Sequence, residues 1–157
     1  LHKAAKNAAI MHATNMSMGV TMLLSLVKNA SGALDDNWDI EINETHHKFK
    51  VDAPSGTALS LGKAAAEGRG KDLGNAAIYD RHGITDQRQK GDIGFSVQRG
   101  GDVVGEHTVS FYGSGERVEL THIATDRSIF ARGALKAACF LKDKTHGFFT
   151  MEDVLGL

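Results

Sequence analysis

Along "WDIEIN" the chain alternates: Trp38, Ile40 and Ile42 fall on one side, and Asp39, Glu41 and Asn43 on the other. A period of two predicts a half-buried strand over 38–46. The preceding stretch repeats differently. Met18, Met22, Leu23, Leu26 and Val27 recur at helical spacing, and Thr14, Asn15 and Ser17 are residue types that open helices. They predict a helix over about 17–34, closed by Gly32 and the Asp35-Asp36-Asn37 cluster. Before it, residues 1–8 read as the end of a helix and 8–13 as a short buried strand. Leu59, Leu61, Ala65 and Ala66 predict another helix over 55–67, with Pro54 in its first turn and Gly68 at its end.

Residues 68–91 are rich in Gly, Asp, Lys and Arg and show little period, apart from a short strand at 75–82. A loop of that length in a compact domain is often functional. Three alternating runs follow, at 92–99, 103–112 and 116–125, joined by Gly100-Gly101-Asp102 and Gly113-Ser114-Gly115. Short glycine-rich links between alternating runs predict antiparallel hairpins. With 38–46 added, the runs make an open sheet of four strands, and the helices place the chain in the α+β class. From Ser128 onward, Ile129, Ala134, Leu135, Ala138 and Leu141 predict one more helical face, in which Gly133 implies close packing. A short last helix starts at the Thr150 cap.

Composition narrows the function classes. Over 157 residues, 41% hydrophobic and 24% charged is ordinary for a globular domain, and that length buries a core without disulfides or metal. A formal net charge of -1 offers no general attraction for nucleic acid. No run approaches the roughly 20 apolar residues that span a bilayer, so no membrane partner is expected. The single cysteine, Cys139, forms no internal disulfide, is expected to be a small buried hydrophobe, and suits a cytoplasmic setting. The chain opens on Leu1, directly in a helical run, and reads as a piece of a longer protein.

The candidate chemistry is concentrated in "ETHHKFKVDAPSGTA", Glu44 to Ala58. A helix opening at Pro54-Ser55-Gly56-Thr57 presents unpaired amides, two hydroxyls and a partial positive charge to one point. Gly56 lets an oxyanion approach the backbone, which makes a carboxylate or phosphate site, although Ser and Thr also serve as plain helix caps. Lys50 and His47 add positive charge just upstream. His46 and His47 face opposite sides while the strand persists, so one is free to react while the other is structural. Histidine suits proton transfer near neutral pH. Together these residues point to an anion-binding catalytic pocket. Metal binding is the rival reading, but Lys50 stands where H-E-x-x-H needs its second ligand, and a cation there disfavours a metal. His107 and His122 read as histidines paired across a sheet, and Glu106 and Glu116 as exposed or paired. "QRGGDVVGEH" has glycines but not the G-x-G-x-x-G opening of a dinucleotide site.

The run "HHKFKVDAPSGTAL" resembles the signature of the dihydrodipicolinate reductases, now called 4-hydroxy-tetrahydrodipicolinate reductases. That signature is a His-His pair, a lysine four residues after the first histidine, then Asp-Ala-Pro-Ser-Gly-Thr-Ala. "GDIGF", "RGGDVVGEH", "GERVELTH" and "FARGA" extend the resemblance over about 9–157. It implies an NADH- or NADPH-dependent reduction of a small dicarboxylate in lysine and diaminopimelate biosynthesis, in a homotetramer and without a metal. It also implies a mixed sheet, with remnants of a Rossmann domain at both termini. Residues 1–16 then belong to the dinucleotide-binding domain, 17–127 form the substrate-binding and oligomerisation domain, and 128–157 pack on the dinucleotide-binding domain. Carried over by position, His46 and Lys50 are catalytic. His47, Ser55, Gly56 and Thr57 hold the substrate carboxylates, while Ala13, Thr14, Asn15 and Met16 line the nicotinamide. Met16 stands where the family usually has an aromatic residue. A non-catalytic oligomerisation or anion-binding module of the same fold is the competing reading. Without the dinucleotide fingerprint, the chain by itself is expected to bind NAD(P)H weakly and turn over little.

Overall fold

A computed structural model describes residues 1–157. After a single turn of 3-10 helix at Ala4–Lys6, the elements are β1 (Ala9–Met11), α1 (Met18–Ala33), β2 (Asp39–His46) and α2 (Gly56–Gly68). Then come α3 (Leu73–Ala76), β3 (Ala77–Ile78), β4 (Ile93–Arg99), β5 (Gly105–Tyr112) and β6 (Arg117–Ala124). α4 (Ser128–Leu141), β7 (Gly147–Phe149) and α5 (Met151–Leu155) complete the chain. It divides into two compact units, one of Leu23–Thr125 and one of Leu1–Met22 with Asp126–Leu157.

The larger unit is built on a mixed five-stranded sheet in the order β3-β4-β2-β5-β6. β2 is its centre, parallel to β4 and antiparallel to β5. The register aligns Ile40 with Ile93 and Phe111, and Ile42 with Phe95 and Val109, so one face carries continuous apolar rows. Leu23 and Val27 of α1 and Ala58, Leu61 and Ala65 of α2 close over those rows as a single core. The opposite face is polar, with cross-strand hydrogen bonds Asn43–Ser96, Thr45–Gln98 and Thr108–Thr121.

Two expectations about the sheet change. β4 and β5 do not form a hairpin, because β2 lies between them. A hairpin there would leave β2 at an edge, with half of its backbone groups unpaired and its apolar row uncovered on one side. The glycine link instead arches over the end of β2: the Gly100 amide donates to the His46 carbonyl, and the His47 and Lys48 amides donate to the Val103 and Gly101 carbonyls. Gly101 has φ +52, a backbone shape that glycine adopts without strain. The second hairpin, β5–β6, is antiparallel as expected, with the Gly113 amide donating to Glu116. The fifth strand, β3, comes from the 75–82 stretch of the long loop. The same loop is anchored by Arg88, which pairs with Asp39 and Glu41 and donates to the Ile40 carbonyl.

In the other unit β1 and β7 form a parallel pair. Ala137, Met151 and Val154 make a small core with Met11, Ala13, Met16 and Phe140. The buried face of α4 is Gly133 and Ala137, not the predicted Ala134, Leu135 and Ala138, which are exposed. Gly133 explains the shift. A Cβ there would lie 1.7 Å from the Met16 carbonyl oxygen, so the helix meets the chain through its smallest residue. Cys139 lies two residues past Ala137, about 200° round the helix, and is exposed rather than buried.

α1 and α2 also meet through glycine. A Cβ on Gly68 would fall 2.3 Å from the Lys28 carbonyl oxygen and 2.9 Å from Ser31 Cβ, while Ser31 Oγ donates to the Ala65 carbonyl at 2.7 Å. Gly68→Ala is therefore expected to cost about 1–3 kcal/mol through overpacking against backbone that cannot yield. Gly56→Ala, where a Cβ meets open space, is expected to stay within about 0.5 kcal/mol of the parent. Urea unfolding of the two variants measures the contrast.

Candidate active site

The apolar face of β2 changes character along its length. Ile40 and Ile42 are in the core, and the next two residues on that face are Glu44 and His46. The register brings Arg99 beside His46 and His107 beside Glu44. Period-two geometry thus puts two histidines, a carboxylate and a guanidinium at one end of the helix-covered face.

Glu44 is 1% exposed and is the hub of this cluster. Its Oε2 accepts from His46 Nδ1 at 2.5 Å and from Arg99 Nη1 at 2.9 Å. Its Oε1 accepts from Arg99 Nη2 at 2.8 Å and from the Ser55 amide at 2.9 Å. Burial alone would raise the Glu44 pKa, but the bonds from Arg99, His46 and Ser55 outweigh it and hold the carboxyl below its ordinary range.

Ser55 joins the strand end to α2. It is the N-cap, so Pro54 lies before the helix and not in its first turn as expected, and the Ser55 Oγ accepts from the Ala58 amide. Pro54 precedes the cap through a cis Ala53–Pro54 bond. Serine takes the cap because its hydroxyl satisfies an amide that proline's ring would leave open. Ser55 Oγ also lies 3.0 Å from His107 Nε2. The His46 and His107 rings meet edge to face, with centroids 5.0 Å apart.

The intervening loop carries the lysine. Lys50 Nζ donates to both Asp52 oxygens, at 2.8 and 2.9 Å, and this bond leads the effects that lower the Asp52 pKa. Arg99 Nη2 donates to the Asp52 carbonyl at 2.7 Å, so one guanidinium braces both the loop and Glu44. His46, Lys50 and Ser55 are thereby linked through Glu44, Arg99 and Asp52. Gly56 is exposed at the helix opening and Thr57 half-buried beside it. His47 follows His46 at the strand end, with its ring 6.4 Å from that of Phe49. Ala13, Thr14, Asn15 and Met16 belong to the other unit. There Asn15 Oδ1 accepts from the Ser17 amide, while Ala13 and Met16 pack on that unit's core.

The family model described as "Dihydrodipicolinate reductase, C-terminus" matches residues 19–155. The chain belongs to this family. A 4-hydroxy-tetrahydrodipicolinate reductase of Cereibacter sphaeroides (strain ATCC 17029) is 59% identical over 154 residues, covering 98% of this chain and 57% of the relative. The reductase of Parvibaculum lavamentivorans is 60% identical over 154 residues, with the same coverage of 98% and 57%. The chain thus spans about 57% of the length of these relatives. In fold it is similar to a dipicolinate-bound dihydrodipicolinate reductase from Paenisporosarcina sp. TG-14, with a TM-score of 0.73 and 22% identity. That match covers 95% of this chain and 56% of the other.

Three members of the cluster lie outside the candidate site residues that the sequence points to: Glu44, Arg99 and His107. Glu44 was within reach, since a charge in phase with Ile40 and Ile42 must be buried and partnered. Arg99 and His107 depend on strand register, which no single run reveals. His107 does face His122 across the β5–β6 pair, but its contact with Ser55 makes it part of the cluster as well.

His107 gives the cluster a pH signature. Burial, aided by the nearby His46, lowers its pKa from 6.5 to about 4. The folded chain therefore binds this proton more weakly than the unfolded chain does. The stability that neutral His107 permits is complete above about pH 6.5 and is lost as pH falls toward 4, on the order of 3 kcal/mol in total. Urea midpoints taken at intervals from pH 7 to 5 should fall steadily, and His107→Gln should remove the larger part of that slope.

Proposed function

We propose that this chain holds and protonates the dicarboxylate ring of 4-hydroxy-tetrahydrodipicolinate during its reduction to tetrahydrodipicolinate, a step of lysine and diaminopimelate biosynthesis. One observation carries the reading: a single buried carboxylate, Glu44, holds the His46 ring and the amide that opens α2. A proton-transfer group and an anion-binding helix terminus are thereby fixed beside each other.

In this proposal the substrate carboxylates bind where Ser55, Gly56 and Thr57 open the helix, through the Gly56 and Thr57 amides beside the Ser55 hydroxyl, because the Ser55 amide is already given to Glu44; His47 and Lys50 supply positive charge. Gly56 suits this role because its Cβ position is open. As the ring gains electrons, His46 or Lys50 delivers a proton to the atom where negative charge develops, which lowers the barrier to the transfer. His46 then regains its proton from solvent. Lys50 reaches the substrate by exchanging an Asp52 oxygen for a substrate carboxylate oxygen.

The cofactor is NADH or NADPH, which supplies a hydride when bound. Ala13, Thr14, Asn15 and Met16 suit contact with a nicotinamide ring: none is charged, and Ala13 and Met16 are only partly covered. The thioether of Met16 offers a polarisable surface in place of an aromatic one. The parallel pair β1–β7 supports assigning 1–16 and 128–157 to a dinucleotide-binding domain and 17–127 to a substrate-binding and oligomerisation domain. The polar outer face of the sheet and the unpaired side of β6 suit a homotetramer. No helix is long and apolar enough to cross a membrane, and a cytoplasmic setting fits a reductase of this class.

Calorimetry with pyridine-2,6-dicarboxylate, a stable ring analogue, tests the proposal. The folded chain should bind it, and Lys50→Ala should weaken binding at least about tenfold, the effect of losing one charge-assisted hydrogen bond. Absence of binding by a folded sample would favour the non-catalytic module.

A further inference from the structure

An ionised carboxylate accepts hydrogen bonds and donates none. Glu44 is 1% exposed and receives both Arg99 donors, which neutralise its charge and lower its appetite for a proton. The His46 Nδ1 that lies 2.5 Å from it must therefore carry the hydrogen. In neutral His46 this leaves Nε2 with the free lone pair. The space around Nε2 is kept by a second residue. Gly105 opens the neighbouring strand β5, and a Cβ there would sit 3.0 Å from His46 Nε2 and 3.4 Å from Cδ2. Gly105 does not have a positive φ, so its small size is not demanded by local conformation.

We infer that Glu44 and Gly105 are positioning residues that make His46 Nε2 the proton-exchanging atom: Glu44 locks the tautomer from one side of the ring, and Gly105 clears the other. This rests on the reductase reading for the identity of the proton acceptor, but the tautomer itself does not. The imidazolium gives up its Nε2 proton, the lone pair remains on Nε2, and the Nδ1 proton stays shared with Glu44 throughout. Arg99 matters in the same chain. Without it, the buried carboxylate would hold its charge alone and draw the Nδ1 proton to itself. The arrangement also explains why the amide of Ser55 shares Glu44. The Ser55 amide holds the other carboxylate oxygen, Oε1, and so resists rotation of the carboxylate away from His46.

The test is long-range proton–nitrogen NMR of the histidine rings in this chain, with kinetics in the complete reductase carrying the same substitutions. The wild-type chain should show His46 protonated at Nδ1. Glu44→Gln, which offers one acceptor oxygen in place of two, should give a mixture of tautomers and lower kcat by about 100-fold, with a smaller change in KM. Gly105→Ala should keep the Nδ1–H tautomer and still lower kcat by about tenfold, because only access to Nε2 changes. A wild-type His46 protonated at Nε2, or Glu44→Gln with kcat within about threefold of wild type, would overturn the inference. Should Glu44→Gln fail to fold, the wild-type spectrum and Gly105→Ala still decide it. Nδ1–H in a chain that ignores pyridine-2,6-dicarboxylate supports the tautomer assignment and counts against the reductase reading alone.

Discussion

A carboxylate sealed inside a protein is tolerable only when every lone pair is used, and the architecture around Glu44 can be derived from that requirement. Isolated burial of such a charge costs several kcal/mol even after relaxation. The guanidinium of Arg99, the ring of His46 and the amide of Ser55 meet the need from three segments of the chain. Each of these partners is itself fixed by the bond it makes. Strand β4, strand β2 and helix α2 are held at one point by electrostatics as well as by the apolar layer below.

The sheet therefore has two regimes on one face. Near Ile40 and Ile42 the rows are apolar and close-packed under α1 and α2. Two residues further along the same strand, the pleat still points inward but the side chains are charged. The transition coincides with the start of α2, whose Ser55 cap reaches Glu44. Strand spacing of roughly 3.3 Å per residue makes the change abrupt, so stable packing and reactive groups are neighbours without being mixed.

Sequence patterning found most of the elements because the relevant periods are local. Alternation placed β2 and β6, and helical spacing placed α1 and α2 to within a few residues. It failed where the answer depended on partners. The glycine link at 100–102 looked like a hairpin turn, yet β2 occupies the space between the two strands it joins. α4 looked amphipathic through Leu135, yet its covered face is chosen by how closely Gly133 approaches Met16. At the site, His46, Lys50 and Ser55-Gly56-Thr57 were legible as a contiguous signature. Arg99 and His107 come from strands 53 and 61 residues beyond His46 in the chain, positions that become neighbours only once register is known.

The arch of Gly100–Val103 across the end of β2 has a consequence for how the molecule comes into being. β2 acquires both of its neighbours from later sequence: Ile40 waits for Ile93 on one side and for Phe111 on the other. Such non-local pairings are slow, since loop closure must be met before any contact repays it. A nascent or truncated chain that lacks β4 and β5 has Glu44 on the inward face of β2 without the Arg99 guanidinium that neutralises it. The reactive cluster has no half-built form, and its assembly is tied to completion of the sheet.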